Sequence, residues 1–213
     1  MFFNQIKSLI LLFFICFLPA GSSSAETDTD NLFSDNDFSS LDPEYVKISR
    51  LKRRPYISSY WDDVPSIRIC DGSGVTMSRA QSAVHMWRKL GYAFGNIYWD
   101  HGSQICLIGG ISGEITILLA RSDTPIGNNL AITRTFYNSE TKIIQKAQIF
   151  VLGGYSDKPR LLEHEIGHAL GWAHFNRTYH IMNSNYPETG SDTYRVRHSD
   201  YQSHIQKFFS SEE

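Results

Sequence analysis

The chain has 213 residues and nearly balanced charge, with 20 basic side chains, 22 acidic side chains and a formal net charge of −2. Proteins that bind nucleic acid through its phosphates usually carry an excess of Lys and Arg, so this composition argues against a nucleic-acid partner. Hydrophobic residues make up 41% of the chain, which is enough for one domain with its own core.

The first 25 residues are typical of a secretory signal peptide. Lys7 precedes a short apolar run over residues 9–18, Pro19 and Gly21 interrupt the run, and residues 23–25 are small enough for cleavage. The run is shorter than the roughly 20 apolar residues that span a bilayer, although an uncleaved anchor stays open as an alternative. We therefore expect a secreted, periplasmic or otherwise extracellular protein with no stable membrane span after cleavage.

Residues 26–46 form an acidic segment with seven Asp and Glu side chains, and the first basic residue after it is Lys47. A segment of this composition cannot bury enough apolar surface to order itself. We interpret residues 26–55 as a flexible leader, and a short prosegment whose carboxylate blocks the active site is the alternative. The folded domain is predicted to occupy residues 56–213.

The middle of the chain predicts several strands and one helix. Alternating apolar residues predict a strand over residues 66–70, and apolar residues at helical spacing predict a helix over residues 77–90, capped by Thr76 or Ser78. The last two of the remaining predicted strands flank a turn and should form a hairpin. These strands are expected at residues 97–99, 114–120, 131–137 and 142–152.

Two further helices are predicted in the last third of the chain. The first should begin near Asp157 as the capping residue, with Pro159 in its first turn. The second should cover residues 200–209, with Ser199 and Gln202 spaced as a capping box.

The first of these helices carries the strongest functional signal of the chain. His164 and His168 are four residues apart, so a helix places both imidazoles on one face, where they can hold one Zn²⁺ ion. Glu165 follows the first histidine, so its carboxylate lies beside the metal rather than on it. That is where a general base must stand to take a proton from an activated water.

The residues that follow predict a third ligand. Gly171 can end the helix in the left-handed conformation, and the chain then turns back and brings His174 to the metal. Three protein ligands and an open fourth position are typical of a catalytic zinc site. His180 and His198 are weaker candidates for the third ligand because no helix end delivers them.

The complete string, H-E-x-x-H-x-x-G-x-x-H, resembles the signature of the metzincin zinc endopeptidases, and the chain is most similar to the bacterial matrixin-like (M10-type) proteins among them. The resemblance covers about residues 56–209. It implies an α+β, zincin-like fold with a twisted mixed five-stranded sheet, two helices and a C-terminal helix. It also implies a secreted zinc metalloendopeptidase in which His164, His168 and His174 bind one catalytic Zn²⁺ and Glu165 is the general base.

The resemblance assigns roles to other residues as well. Met182 looks like the methionine of the Met-turn, an apolar floor under the zinc-bound histidines. Tyr186 stands four residues after it, whereas the oxyanion-stabilising tyrosine of some metzincins stands two after, so its role stays open. The strand over residues 131–137 is expected to border the cleft and to pair with an extended peptide substrate. A monomer is expected, and calcium binding is neither predicted nor excluded.

Cys70 and Cys106 remain after removal of the signal segment, and in an exported protein we expect them to form a disulfide. The alternative is that one of them caps the zinc as a thiolate.

Two alternatives to a metzincin endopeptidase are left open. One is a secreted zinc-binding adhesion or interaction module without catalysis, which would bind metal without turnover. The other is a thermolysin-like enzyme with Glu188 as the third ligand, although this glutamate lies in a Pro-Glu-Thr-Gly turn rather than on a helix.

Overall fold

The computed structural model describes residues 54–210, so the predicted signal peptide and nearly all of the acidic leader lie outside the described residues. No helix in the described part of the chain is long and apolar enough to cross a membrane. The strands and helices follow one another in the order β1 Ser66–Cys70, α1 Met77–Lys89, β2 Ile97–Asp100, α2 Gln104–Leu107, β3 Glu114–Leu119, β4 Ala131–Tyr137, β5 Ile144–Val151, α3 Leu161–Ala169 and α4 His198–Ser210.

The five strands form one mixed sheet in the order β2-β1-β3-β5-β4. The pairs β1–β2, β1–β3 and β3–β5 are parallel, whereas β4 pairs antiparallel with β5 as the predicted hairpin. The α+β fold with a mixed five-stranded sheet is therefore confirmed. The strand β4 lies at the edge of the sheet, and no strand of the described residues pairs with its outer side.

The core lies between the sheet and the helices α1 and α3. Isoleucines on the inner strands are fully buried, as expected where both faces of a parallel sheet are covered. The helix α1 buries one stripe of small and aromatic side chains, and its Trp87 donates from Nε1 to the carbonyl oxygen of Glu163 on α3 at 2.8 Å. This contact fixes α3 against α1. The fully buried isoleucines are Ile67, Ile69, Ile115, Ile117 and Ile149.

The predicted start of α1 is confirmed, because the Thr76 hydroxyl accepts a hydrogen bond from the Arg79 backbone N–H at 3.1 Å. A second short helix, α2, was not predicted. Its N-cap is Ser103, whose hydroxyl accepts from the Ile105 backbone N–H at 3.2 Å. Four residues are too few for a periodic apolar pattern to reveal a helix.

The predicted start of α3 is wrong. Asp157 and Pro159 precede the helix, and Arg160 occupies the N-cap position in the left-handed conformation, at φ 66°, without a side-chain cap. The Tyr186 hydroxyl donates to the carbonyl oxygen of Pro159 at 2.9 Å from a distant loop. A tertiary contact, rather than a local capping residue, therefore accompanies this helix start.

The capping box predicted for the last helix is also wrong, because α4 begins at His198 and Ser199 lies inside it. The Ser199 carbonyl oxygen accepts from the Ser203 hydroxyl at 2.9 Å, one turn further on. The cap is formed instead by Asp200, whose carboxylate accepts from the Arg197 backbone N–H at 3.2 Å.

Cys70 and Cys106 form a disulfide with their Cα atoms 5.8 Å apart. The bond joins the end of β1 to α2, at a distance of 36 residues along the chain. Neither sulfur is then available as a thiolate ligand, so the alternative of a cysteine that caps a metal is excluded in this structure.

Candidate active site

The helix α3 is buried on nearly every side, which fixes the position of the side chains it carries. At Gly167 the helix backbone lies close to two side chains from other parts of the fold. A Cβ placed on this glycine would lie 2.3 Å from Met182 Sδ and 2.8 Å from Trp87 Cζ2. A glycine at this position lets the helix sit directly on both side chains. His164, Glu165 and His168 thus project from a rigid element rather than from a loop.

The structure brings the imidazoles of His164, His168 and His174 together. Nε2 of His168 lies 3.0 Å from Nε2 of His164 and 3.0 Å from Nε2 of His174. Nitrogens bound tetrahedrally at about 2.0–2.1 Å from a zinc ion lie about 3.3 Å apart, close to the observed spacing. Among residues 54–210, this is the one group of three or more candidate ligands whose binding atoms all lie within 4.8 Å of one another.

Hydrogen bonds on the far side of two of the rings fix which nitrogen faces the centre. Nδ1 of His164 lies 2.7 Å from the Ile181 carbonyl oxygen, and Nδ1 of His168 lies 2.7 Å from the Trp172 carbonyl oxygen. A carbonyl oxygen can only accept, so each Nδ1 carries the proton and each Nε2 presents a lone pair. Two lone pairs 3.0 Å apart repel each other, and a cation between them removes the repulsion.

Burial keeps these rings neutral. Desolvation, followed by the charge of His174, lowers the pKa of His164 to about 4, and desolvation with the two neighbouring histidines lowers the pKa of His168 well below its usual value. Neutral imidazole is the form that binds a metal ion. The residues present therefore fit a Zn²⁺ ion in donor type, spacing and protonation.

Gly171 ends the helix as predicted and redirects the chain toward His174. It has φ +98°, and a Cβ built on it would lie 1.8 Å from the carbonyl oxygen of Ser59. The segment after the helix is held by the N-terminal end of the domain, because Ser58 N–H donates to the Gly171 carbonyl and Ala173 N–H donates to the Tyr56 carbonyl, both at 3.0 Å. These backbone bonds place the loop that carries the third histidine.

Replacing Gly171 by Ala is expected to destabilise the domain far more than replacing Gly154 by Ala. Both glycines have positive φ, which costs an alanine about 1–2 kcal/mol, but a Cβ at Gly154 meets no atom of the described residues within 4 Å. The additional loss at Gly171 comes from the Ser59 backbone, which must move. Thermal unfolding of both variants measures the difference, and equal losses of Tm would contradict the predicted close approach.

Glu165 lies at the same centre and is held by the edge strand. It is 4% exposed, and its Oε2 lies 2.6 Å from the Thr133 hydroxyl on β4, which is also 3.1 Å from the Glu165 carbonyl oxygen. Burial raises the pKa of Glu165 to about 7, and the hydrogen bond from Thr133 opposes this shift. A carboxyl group with a pKa near neutrality can both take up and release a proton. Sequence reasoning did not reveal Thr133, because no local pattern links it to the helix.

Met182 is completely buried, and its side chain packs against α3 at Gly167. Its loop is held from two sides: the Phe175 backbone N–H donates to the Met182 carbonyl at 2.8 Å, and the Met182 backbone N–H donates to Nδ1 of His180 at 3.0 Å. The neighbouring Ile181 supplies the carbonyl that orients His164. The loop around Met182 is therefore tied to His164 and to the segment that follows His174, and its role as a Met-turn stays a prediction.

The other candidate ligands contact groups outside the three-histidine cluster. His180 is buried and binds the Met182 backbone N–H and the Tyr194 carbonyl, and His198 packs against Tyr92. The Glu188 carboxylate accepts from the side-chain amides of Asn183 and Asn185. The Tyr186 hydroxyl donates to the Pro159 carbonyl oxygen, so it is already engaged away from the three histidines.

A cleft of about 1100 Å³ runs over the histidines and Glu165. Its lining includes residues 128–137 and residues 183–187. The Leu152 backbone N–H donates to the Leu130 carbonyl oxygen, which shows which residues of β4 hydrogen-bond to β5. The alternate residues of β4 therefore direct their main-chain N–H and C=O groups away from β5 and toward the cleft. These residues are Ala131, Thr133 and Thr135.

A sequence model of the matrixin family matches residues 118–210. The match extends from the end of β3 to the end of α4 and contains the three histidines, Glu165, Thr133 and Met182. This match supports the assignment of the chain to the matrixin-like metzincins. The family predicted from the sequence is therefore confirmed, and the match supports metalloprotease activity in general terms. No curated protein matches this matrixin-like chain significantly.

Proposed function

We propose that the matrixin-like chain is a secreted zinc-dependent endopeptidase. The observation that carries this proposal is the convergence of three imidazoles beside one buried carboxylate, all of which line one cleft. The family match supports metalloprotease chemistry in general. The arrangement in this chain supports the finer assignment of a single-zinc hydrolase.

His164, His168 and His174 would hold the zinc ion through their Nε2 atoms. Three histidines and an open position form a donor set typical of catalytic zinc. When bound, the ion would acidify a water molecule and polarise the carbonyl of the scissile peptide bond. The carbonyl groups of Ile181 and Trp172 keep two of the imidazoles in the tautomer that this binding requires.

Glu165 is the proposed general base. Its carboxylate takes the proton of the attacking water and then delivers it to the nitrogen of the departing amine. The surrounding core, which leaves this residue 4% exposed, keeps bulk water away from the carboxylate. The Thr133 hydroxyl occupies the oxygen Oε2, which leaves Oε1 for the proton transfer.

The proposed substrate is an extended peptide that adds a strand to β4. The outward main-chain groups of Ala131, Thr133 and Thr135 can pair with any peptide backbone, so they give affinity without strict sequence preference. A substrate in this position lies across the histidines and Glu165. The proposed active form is a monomer, because the cleft and its chemistry lie within one chain.

Secretion is part of the proposal. The first 25 residues have the pattern of a signal peptide. The disulfide between Cys70 and Cys106 agrees with this, because such bonds persist mainly in oxidising compartments.

The proposal is tested by measuring zinc content and casein hydrolysis in the purified secreted protein. We expect about one zinc ion per chain, hydrolysis that a zinc chelator abolishes, and recovery when Zn²⁺ is added back. Bound zinc without turnover would favour the alternative of a secreted zinc-binding interaction module. Turnover that survives removal of the metal would contradict the zinc-dependent mechanism.

A further inference from the structure

One side chain outside α3 is bonded directly to the proposed general base. The Thr133 hydroxyl lies 2.6 Å from Glu165 Oε2, and the two residues are 32 positions apart in the chain. The hydroxyl is held on β4, which pairs with β5 over its whole length.

A glutamate carboxylate needs such a contact to keep one orientation. The terminal torsion of Glu is broad, so packing alone does not fix which oxygen faces the reacting water. Threonine provides a stiff anchor, because its β-branched side chain restricts χ1 and the strand restricts its backbone. The second contact of the hydroxyl, 3.1 Å from the Glu165 carbonyl oxygen, keeps it against the helix.

We infer that Thr133 is a positioning residue that orients the Glu165 carboxylate and ties that orientation to the strand on which the substrate binds. The inference rests on the proposed function. The main chain of Thr133 faces the cleft, whereas its hydroxyl faces Glu165, so one residue contacts both the proposed substrate path and the base. A shift of β4 relative to α3 would then disturb substrate register and base orientation together.

Replacing Thr133 by Val tests this, because valine keeps the shape and β-branching and removes only the hydroxyl. We expect kcat to fall about 10-fold or more, as for loss of a hydrogen bond to a charged group, with KM within about twofold of wild type. Thr133→Ser restores the hydroxyl and should recover kcat to within about threefold. A merely structural role would change stability and KM without this rescue.

Thr116→Val is the matched control. Thr116 lies on β3, is completely buried, and its hydroxyl has no partner within the described residues. The same chemical change in the same sheet should therefore leave kcat unaltered. A fall in kcat equal to that of Thr133→Val would assign the effect to the sheet and overturn the inference.

A binding measurement without turnover separates this inference from the proposed function. Acetohydroxamate chelates zinc through two oxygens and can donate a hydrogen bond to an adjacent carboxylate, so its affinity reports the orientation of Glu165. Calorimetry on the zinc-loaded proteins should show binding about 10-fold weaker for Thr133→Val and unchanged for Thr133→Ser and Thr116→Val.

The outcomes are distinct. Weakened acetohydroxamate binding by Thr133→Val in a protein without casein turnover supports the positioning role and contradicts the peptidase proposal. Full turnover and full binding by Thr133→Val, in a protein whose activity needs zinc, overturn the positioning role and leave the peptidase proposal intact. A protein that binds no zinc overturns both.

Discussion

Replacing Glu165 by Gln is expected to lower casein hydrolysis by at least ~10²-fold while the zinc content stays near one ion per chain, a loss of the size that general-base catalysis contributes. The amide has nearly the same shape, and its oxygen can still accept the hydrogen bond from Thr133. It cannot take up a proton from water. The change therefore removes the chemistry and leaves the metal site.

Steady-state kinetics and metal analysis of the same preparation measure this prediction. Glu140→Gln is the matched control, because Glu140 is exposed in the turn between β4 and β5, away from the cleft. That variant should keep both zinc and activity. Turnover by Glu165→Gln equal to that of wild type would end the assignment of the base.

Replacing His174 by Ala is expected to weaken zinc binding more than ~10²-fold. Loss of a group that only supports a ligand typically costs 10–100-fold in affinity, and loss of a ligand itself should cost more. His174 Nε2 lies 3.0 Å from His168 Nε2, within the cluster, so its removal leaves two nitrogens for the ion. Hydrolysis should fall with the bound zinc.

Glu188→Ala distinguishes this site from the thermolysin-like alternative. The Glu188 carboxylate is engaged by Asn183 and Asn185, so its loss should disturb that loop and leave the zinc affinity within about twofold. Dialysis against buffered zinc followed by metal analysis gives both affinities, with circular dichroism as the check on folding. Zinc loss in Glu188→Ala and zinc retention in His174→Ala would reverse the assignment.

These two variants fail in different ways if the mechanism is correct. Glu165→Gln keeps the ion and loses turnover, whereas His174→Ala loses the ion first. A single structural defect would lower zinc content, stability and turnover together in both. Measuring all three quantities in both proteins therefore separates base chemistry from metal binding.

Local sequence patterns were sufficient for most of the elements. Alternating apolar residues predicted β1, the turn between β4 and β5 predicted the hairpin, and Thr76 predicted the start of α1. These features depend on side chains a few residues apart, which steric preferences and backbone hydrogen bonds determine. The start of α3 was not predictable in this way, because no side chain caps it and a distant tyrosine contacts the turn before it.

The sequence by itself determined the metal-binding pattern of this protein: two histidines one helical turn apart, a glutamate beside them, and a glycine whose missing side chain lets the chain turn toward a third histidine. Helix geometry makes these relations local. Only the tertiary structure decided which carbonyl groups orient His164 and His168, that His180 supports the loop of Met182, and that Thr133 holds Glu165. The contacts of Thr133 with Glu165 and of His164 with Ile181 join residues 32 and 17 positions apart, so they exist only once the sheet, helix and loops pack against one another.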